Sequence, residues 1–388
     1  MKFEFSKRLQ NLPPYLFVEI DKAKRKARQE GRDLIDFGVG DPDLPTPEHI
    51  IEKLYEAAKD PRNHRYALDQ GMPALRQAIA DWYKKRFNVN LNPETEILPL
   101  IGSKEGIAHM PFAFLNSEDY VLAPDPGYPP YRGSVILAQG RVFNMPLRAE
   151  NSFLPDFKEI PLKIKKQAKL MFINYPNNPT AAIANKEFYL RVIDFSFKYN
   201  TIIAHDAAYS EIAYDGYKAM SFLELDGAKD VGVEFHSLSK TYNMTGWRIG
   251  WVCGNADIIC GIAKVKSNID SGIFSAIQIA GIEALSGPQE HIQKMCMLYQ
   301  ERRDILCEGL KSLGWNISKP KASFYVWVGV PKGQDSRRFA SLLLGRCDIV
   351  VTPGVGFGQY GEGYIRFALT VPKERISEAI ERIKTRLT

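Results

Sequence analysis

The sequence predicts an α/β fold in which a mostly parallel sheet lies between helices and a smaller α+β region follows. The first observation is that continuous apolar runs alternate with a helical pattern. The apolar runs are residues 169–174, 201–209 and 231–240, and the helical pattern is 185–200. Continuous apolar strands separated by helices are typical of a parallel sheet covered on both faces. The second observation is a change of character near Gln289, where a long charged helix gives way to short strands and further helices.

An earlier unit, residues 96–115, has the pattern of a strand, a tight turn and a helix. Gly102, Ser103 and Lys104 would open this helix. The N-terminus of a helix offers free N–H groups and a positive dipole end, which suit a phosphate group. Since Gly-Ser is also a common helix start, the motif is only a weak indication of a phosphate site when taken alone.

The C-terminal region is expected to form a second domain. After the helix predicted at 289–313 come the segments ASFYVWVGV, DIVVTPG and GYIRFALT, with further helices between and after them. We therefore predict an N-terminal arm with part of the small domain at 1–45, a large domain at 46–288 and the small domain at 289–388. A chain of 388 residues suits two or three domains.

Composition excludes several classes of protein. The chain is 45% hydrophobic and 25% charged, and its five cysteines form no CxxC pair, so neither a disulfide framework nor a zinc or other metal site is expected. No stretch approaches the roughly 20 apolar residues of a membrane span. The N-terminus has no apolar run of the signal-peptide kind, so we expect a cytoplasmic protein. The net charge is +6, and the basic runs at 21–32 and 158–169 are expected to be solvated surface rather than nucleic-acid sites.

Polar side chains follow the predicted strands at the points where these strands end. Asn178 follows the first strand, Asp206 ends the second, and Ser237, Ser239 and Lys240 follow the third. In parallel α/β sheets, ligands bind beyond the carboxyl ends of the strands. The sequence therefore predicts one ligand site at this edge of the sheet.

The segment SLSKTYNMTGWRIGW indicates which ligand the site holds. The amine of Lys240 can form a Schiff base with an aldehyde if burial or a nearby cation such as Arg248 lowers its pKa. Ser237, Ser239 and Arg248 are the hydroxyl and guanidinium donors that bind a phosphate dianion. An aldehyde that also carries a phosphate is pyridoxal 5′-phosphate. Each residue alone has a commoner explanation, such as a surface lysine or a structural ion pair, so the hypothesis depends on the whole set.

Four further residues acquire roles in this hypothesis. Asp206 can pair with the pyridinium nitrogen and keep it protonated, which sustains the ring as an electron acceptor. Tyr209 and Asn178 can donate hydrogen bonds to the phenolic oxygen of the ring. Tyr128, in DPGYPPY, offers a flat surface for stacking. Asp206 would otherwise be a helix N-cap, and Asn178 would be a turn residue.

The segment is similar to the pyridoxal-phosphate attachment motif of class I aminotransferases, which belong to fold type I and the aspartate aminotransferase superfamily. The resemblance spans essentially the whole chain in the same order, through RYALDQG, GSKEG, DPGYPPY, YPNNPT, DAAY, KASFYVW and YIRFALT. One departure is Ala181, where the family usually has glycine. Because alanine disfavours a positive φ, we expect this turn to be slightly altered.

The resemblance implies further roles. Arg366 matches the arginine that binds the α-carboxylate of the substrate, although by itself it would suit a salt bridge at a strand edge. Ser103 and Lys104 match the phosphate contact at the helix start. The family is dimeric with shared active sites, and Tyr66 matches a tyrosine that reaches the phosphate across the dimer interface. Lys240 would hold the cofactor and then act as general base and acid, with an amino acid and a 2-oxo acid as substrates.

Two segments, FGVGDPDLPTPEHI and ALDQGMPALRQAI, most resemble the family members that use LL-diaminopimelate with 2-oxoglutarate in lysine biosynthesis. In that group the residues that match Tyr15, Gly40 and Lys104 contact the substrate, and we expect Asn178 and Tyr128 to border it too. Aspartate- or alanine-type aminotransferases are the next alternative. A pyridoxal-phosphate-dependent β-lyase and a non-catalytic regulator that binds this cofactor are also compatible with the lysine motif.

Overall fold

A computed structural model of the chain describes residues 3–13 and 16–387. Its helices are α1 (Lys7–Gln10), α2 (Leu16–Gln29), α3 (Glu48–Lys59), α4 (Pro73–Phe87), α5 (Ser103–Phe114), α6 (Pro129–Leu137), α7 (Leu162–Gln167), α8 (Lys186–Tyr199), α9 (Ala228–Val231), α10 (Leu238–Thr241), α11 (Ala256–Ile269), α12 (Ser275–Ser286), α13 (Glu290–Ser312), α14 (Ser336–Cys347) and α15 (Lys373–Leu387). Its strands are β1 (Ile35–Asp36), β2 (Ile97–Leu100), β3 (Tyr120–Asp125), β4 (Arg141–Pro146), β5 (Ala168–Asn174), β6 (Ile202–Asp206), β7 (Gly232–Ser237), β8 (Gly250–Gly254), β9 (Tyr325–Gly329), β10 (Ile349–Val350), β11 (Thr352–Pro353) and β12 (Tyr364–Ala368).

The largest sheet has seven strands in the order β2-β8-β7-β6-β5-β3-β4. From β7 to β4 in this order, each strand is parallel to the next. In contrast, β8 is antiparallel to both of its neighbours, β2 and β7. The sheet is therefore mixed and mostly parallel, as predicted. The apolar runs of the sequence form β5, β6 and β7, with α8 between the first two of these strands.

Both faces of this sheet are buried, which explains why its central strands are continuously apolar. On β5, Met171 and Ile173 pack into one hydrophobic core, whereas Leu170 and Phe172 pack into another. Successive side chains of a strand point to opposite faces, so alternate residues of one strand enter different cores. The strand needs apolar residues at every position rather than at every second one.

A second region combines the C-terminal part of the chain with a short N-terminal segment. Its sheets are antiparallel β11-β12-β9 and parallel β1-β10, in which Ile35 pairs with Ile349. The apolar side chains of these strands form a third core together with α13 and α15. Tyr209 and Ala181 also belong to this core. This arrangement accords with the small region expected at the C-terminus, while the boundaries at 45/46 and 288/289 stay a prediction.

Both basic runs are mostly exposed, as the sequence predicts, with one exception among their basic residues. In the run at 21–32 the side chain of Lys24 is buried and lies 2.6 Å from Asp36. Lys24 is thus a structural ion-pair partner and not part of a solvated face, because it joins α2 to β1. All five cysteines are free thiols. Among the described residues, no helix is both long and apolar enough to cross a membrane.

Candidate active site

A cavity of about 380 Å³ opens where β5, β6 and β7 end, and it collects most of the side chains that the sequence singled out. The predicted residues that line it are Gly40, Ser103, Lys104, Tyr128, Asn178, Asp206, Tyr209, Ser237, Ser239, Lys240, Arg248 and Arg366. Tyr66 does not line it and is 97% exposed. Tyr15 lies outside the described residues.

One corner of the cavity is rich in donors. Ser237 caps α10, where its hydroxyl accepts the backbone N–H of Ser239 at 3.1 Å. Arg248 donates to the carbonyl oxygen of Thr245 at 2.9 Å and lies 3.4 Å from that of Ile101. Ser103 is the first residue of α5 and presents the N-terminal end of that helix to the same cavity. Guanidinium, hydroxyl and helix N-terminus together suit a phosphate dianion.

Gly102 brings these donors together. It adopts φ +77°, and a methyl group at its Cα would overlap the guanidinium group of Arg248. Glycine suits this position for two reasons: its φ is one that residues with a side chain rarely adopt, and a methyl group would force the guanidinium group of Arg248 to move. The close approach connects two motifs that are far apart in the sequence, GSKEG and WRIGW.

Lys240 is the potential nucleophile, and both of the causes that the sequence analysis named contribute to its activation. Burial lowers its pKa to about 8 from the usual 10.5; Asp41 opposes this shift, and Arg366 and Arg248 contribute to it. Of the two causes expected from the sequence, burial is the larger and the charge of Arg248 the smaller. An amine with a lowered pKa is more often neutral and therefore more able to attack an aldehyde.

Asp206 ends β6 at the floor of the cavity and is only 6% exposed. Burial raises the pKa of its carboxyl group, while the hydroxyl of Tyr131, which donates at 2.7 Å, and the charge of His205 lower it. The amide of Asn174 donates to the carbonyl oxygen of Asp206 at 2.8 Å and fixes the backbone there. The carboxylate is thus held in a defined position, where it can accept from a ring N–H.

A buried polar network supports the strands behind Asp206. Glu234 accepts from the hydroxyl of Tyr83 at 2.8 Å and lies 2.8 Å from Nδ1 of His205 and 3.0 Å from Nε2 of His236. Burial alone would raise the pKa of Glu234, but the hydrogen bonds from both histidines outweigh it and hold this pKa well below the usual range. His205 and His236 directly precede Asp206 and Ser237, so the network anchors the strand ends that carry those two residues.

On the wall formed by β12, Arg366 is buried and held from several sides. It donates to Oδ1 of Asn178 at 2.7 Å and to the carbonyl oxygen of Gly38 at 2.8 Å. Its guanidinium carbon lies 4.0 Å from the ring centre of Tyr325 and 4.6 Å from that of Phe357. A guanidinium group stacked between aromatic rings is well placed for planar recognition of a carboxylate.

Sequence reasoning assigned no role to Tyr325, Phe357, Tyr131 or Asp41, all of which line the cavity. Tyr325 hydrogen-bonds Tyr209, with 3.0 Å between the hydroxyl oxygens. Tyr131 and Tyr325 lie inside the quoted motifs DPGYPPY and KASFYVW, so their positions carried a signal. Which aromatic residue of such a motif faces a cavity depends on the folded backbone.

Two positions near the cavity have unusual backbone. Gly40 adopts φ +67°, and a methyl group at its Cα would lie 2.6 Å from the Tyr325 ring, so this glycine is required by the fold as well as bordering the cavity. Ala181 adopts φ +57° and is buried. The turn therefore keeps a left-handed residue despite the alanine, and the methyl group packs into the core shared by Tyr209.

This set of side chains fits pyridoxal phosphate. A donor-rich corner closed by Gly102 and Arg248, an amine with a lowered pKa and a buried carboxylate are the three features that the cofactor requires. A mostly parallel sheet with such a cavity at its carboxyl edge defines the class of protein as a fold type I transferase.

Comparison with known proteins agrees with this class. The family model for aminotransferases of class I and II matches residues 32–383, so the chain belongs to that family. It is 55% identical to an LL-diaminopimelate aminotransferase of Moorella thermoacetica, over 98% of this chain and 97% of that protein. It is 56% identical to the enzyme of the same name from Halothermothrix orenii, over 98% of both chains. Among solved structures, apo-BacF of Bacillus subtilis superimposes with a TM-score of 0.95 at 39% identity, over 99% of this chain and 98% of that one.

Proposed function

We propose that this protein is a pyridoxal-phosphate-dependent aminotransferase that moves an amino group from LL-diaminopimelate to 2-oxoglutarate. The observation that carries the proposal is the convergence of Lys240, Arg248, Asp206 and Arg366 in one cavity. Lysine, phosphate donors and a buried carboxylate suit the cofactor, and the stacked arginine suits an amino acid. The names of the relatives from Moorella thermoacetica and Halothermothrix orenii support this choice of substrate.

When bound, pyridoxal phosphate supplies an aldehyde that exchanges amino groups and a ring that withdraws electrons from the substrate. Lys240 would hold the aldehyde, and its amine, when free, would take the proton from Cα of the substrate. Asp206 would accept from the ring N–H, and Asn178 and Tyr209 would border the phenolic oxygen. The phosphate would be held by Ser237, Ser239, Ser103, Lys104 and Arg248.

Arg366 binds the α-carboxylate of the substrate. Its guanidinium group is already oriented by Asn178, Gly38 and the two aromatic rings, so little side-chain entropy is lost when a carboxylate arrives. A bidentate pair between arginine and carboxylate also selects the orientation of the substrate.

The distal end of diaminopimelate carries a second amino group and a second carboxylate. The cavity wall offers Lys104 as a cation and Asp21 and Asp41 as carboxylates, besides Gly40 and Tyr128. Charges of both signs near the cavity suit a substrate with an amino acid at each end better than one with an apolar side chain. Tyr15 is proposed to contribute to the same part of the site.

We further propose a cytoplasmic homodimer in which Tyr66 of each subunit reaches the phosphate of the other. The almost complete exposure of Tyr66 and of its neighbour Leu68, 97% and 69%, supports this assignment, because a large apolar surface on one loop is typical of an interface. Five free cysteines are compatible with a reducing compartment.

The proposal is tested by cofactor binding and by donor specificity. The purified protein incubated with pyridoxal phosphate is expected to show the visible absorbance of a lysine-bound aldehyde, and Lys240→Ala should lose that band and slow turnover by roughly 10⁴-fold or more. A band that persists unchanged in Lys240→Ala would contradict the role of Lys240.

Donor specificity is measured with LL-diaminopimelate, aspartate and alanine, each with and without 2-oxoglutarate. Activity with aspartate or alanine but not with diaminopimelate would overturn the substrate assignment. Release of ammonia and pyruvate without any 2-oxo acid would indicate a β-lyase, and cofactor binding without turnover of any donor would indicate a regulator.

A further inference from the structure

A buried charged cluster lies behind the phosphate corner, outside the cavity. It comprises Glu105 and His109 of α5 and Lys266 and Asp270 at the end of α11 and just after it. The side chain of Lys266 is only 1% exposed, although lysine is rarely buried. None of the proposed catalytic steps uses these residues.

Lys266 is fully satisfied in this position. Its ammonium group donates to Glu105 at 2.9 Å, to Asp270 at 2.5 Å and to the carbonyl oxygen of Ser271 at 3.0 Å. Three acceptors match the three N–H bonds of an ammonium group. Two carboxylates and a histidine within reach of one another could also hold a metal ion, but Lys266 already supplies the positive charge that the carboxylates need.

Glu105 connects this cluster to the phosphate corner. Its second carboxylate oxygen accepts the backbone N–H of Ile101 at 2.5 Å, while the carbonyl oxygen of Ile101 lies 3.4 Å from the guanidinium group of Arg248. Ile101 directly precedes Gly102, which closes the corner against the same arginine. One carboxylate therefore fixes the backbone on which two of the proposed phosphate donors, Ser103 and Arg248, depend.

Lys266 also stabilises the segment beneath Tyr66. Its acceptors Asp270 and Ser271 directly precede Gly272. Gly272 packs against the loop that carries Tyr66, because a methyl group added at its Cα would lie 2.9 Å from the carbonyl oxygen of Ala67. Ala67 is the neighbour of Tyr66. The cluster thus borders both the phosphate donors of its own subunit and the loop offered to the partner.

We propose that Glu105 and Lys266 are positioning residues of the phosphate site. Glu105 holds the Leu100–Ile101 peptide, whose N–H it accepts, and with it the turn at Gly102 that receives the phosphate, and Lys266 keeps Glu105 in place. The inference rests on the proposed function, because it assumes that this corner binds the phosphate of the cofactor. Neither residue lines the cavity, and Glu105 acts on the backbone beside Arg248, so the expected effect is on binding of the phosphate and not of the aldehyde.

Charge explains why Lys266 is needed. Burial raises the pKa of Glu105 to about 7, and the hydrogen bond from Lys266 is the largest effect that opposes this rise. Without Lys266 the carboxyl group would be neutral more often, and a neutral carboxyl group is a weaker acceptor for the N–H of Ile101. Loss of either partner should therefore loosen the same peptide.

The test compares pyridoxal phosphate with pyridoxal, which lacks the phosphate. Dissociation constants of both are measured on the apoprotein, by absorbance, for the wild type, Glu105→Gln and Lys266→Met. We expect the affinity for pyridoxal phosphate to fall about tenfold or more in both variants, while the affinity for pyridoxal stays within about twofold. The control is Asp215→Asn, which weakens the pair between the half-exposed Asp215 and the buried Arg303. Neither residue lines the cavity, so this variant should change neither constant.

Because removal of one partner from a buried ion pair destabilises a fold, the double variant Glu105→Met/Lys266→Met is measured as well. Apolar replacement of both partners is often tolerated, and this variant should show the same selective loss. Equal weakening of both ligands, or no change in their ratio in a folded variant, would overturn the inference. A wild-type protein that binds neither aldehyde would overturn the proposed function together with it.

Discussion

At the scale of single residues, Gly102 matters because it has no side chain. The guanidinium group of Arg248 occupies the space that a side chain at this position would fill, and the residue has φ +77°. The site therefore depends on a close approach between a turn and an arginine that lie in different motifs. We expect a substitution of Gly102 to affect the phosphate corner alone, because none of the hydrogen bonds described for the site joins Gly102 to Lys240 or Asp206.

Substitution of this residue is expected to damage cofactor binding. Gly102→Ala should displace Arg248 and weaken pyridoxal phosphate binding by about 10- to 100-fold, since a hydrogen bond to a charged group contributes about 1.5–3 kcal/mol. Gly246→Ala is the matched control in the same stretch, because no atom lies within 4 Å of the added methyl group. Titration of both apoproteins with the cofactor measures the difference; equal affinities would contradict the proposed role of Arg248.

Ala181 is a departure from the family that has a cost and a compensation at the scale of one residue. It adopts φ +57°, a conformation that alanine disfavours, and its methyl group is buried. The left-handed conformation costs alanine about 1–2 kcal/mol. Burial of the methyl group, worth about 0.8 kcal/mol, offsets part of that cost. Backbone preference alone therefore did not determine the outcome.

At the scale of elements, the strand ends are held by the Glu234 network. Glu234 is fully buried and bonded to His205, His236 and Tyr83. Its pKa is held below the usual 4.5 by the histidine hydrogen bonds, which outweigh burial. A carboxyl group whose pKa is lower in the folded state stabilises the protein above pH 4.5, and this contribution is lost as the pH falls towards its folded pKa.

Glu234→Gln is therefore expected to lower the free energy of unfolding by about 3–5 kcal/mol at pH 7, because His205 and His236 then lack the negative charge to which they are hydrogen-bonded. The variant should also lose part of the acid sensitivity of the wild type below pH 4.5. Denaturation with urea at pH 7 and pH 4, followed by circular dichroism, measures both effects. Glu301→Gln, which breaks an exposed pair with Lys373, is the control and should cost less than about 1 kcal/mol.

Elements of regular local pattern were predictable, and contacts between distant segments were not. The helical pattern at 185–200 becomes α8, which starts after its cap Asn185 and ends at Asn200 in a left-handed conformation. In contrast, the pairing of Ile35 with Ile349 joins segments from opposite ends of the chain. Local spacing carries no information about such a pairing, since it depends on the packing of the whole small region.

The same distinction holds for the site. Lys240, Arg248, Asp206 and Asn178 were predictable because each lies at a strand end or in a compact motif. The bond from Tyr131 to Asp206 joins residues of different units, and spacing along the sequence could not reveal it.

At the scale of the whole molecule, the exposed loop with Tyr66 allows the proposed dimer to be tested. In the proposed dimer, Tyr66→Phe removes one hydrogen bond to the phosphate and is expected to weaken pyridoxal phosphate binding by about 5- to 10-fold. Tyr55→Phe is a suitable control, because Tyr55 is also exposed, at 64%, but lies on α3. The measurement is cofactor affinity together with sedimentation of the wild type and both variants.

A dimer whose cofactor affinity is unchanged by Tyr66→Phe would contradict the contact across the interface. A wild-type monomer with full cofactor affinity would contradict the shared site altogether.

The reversed direction of β8 has a consequence for protein engineering. Because β7 and β8 are antiparallel, Ser237 pairs with Gly250, and the N–H of Leu238 donates to the carbonyl oxygen of Ile249 at 3.3 Å. The segment that contains both Lys240 and Arg248 therefore begins and ends at adjoining points of the backbone. Such a segment could be transplanted into another scaffold that offers two neighbouring antiparallel strands. The amine of Lys240 and the guanidinium group of Arg248, with their proposed roles towards the aldehyde and the phosphate, would then move together as one insert.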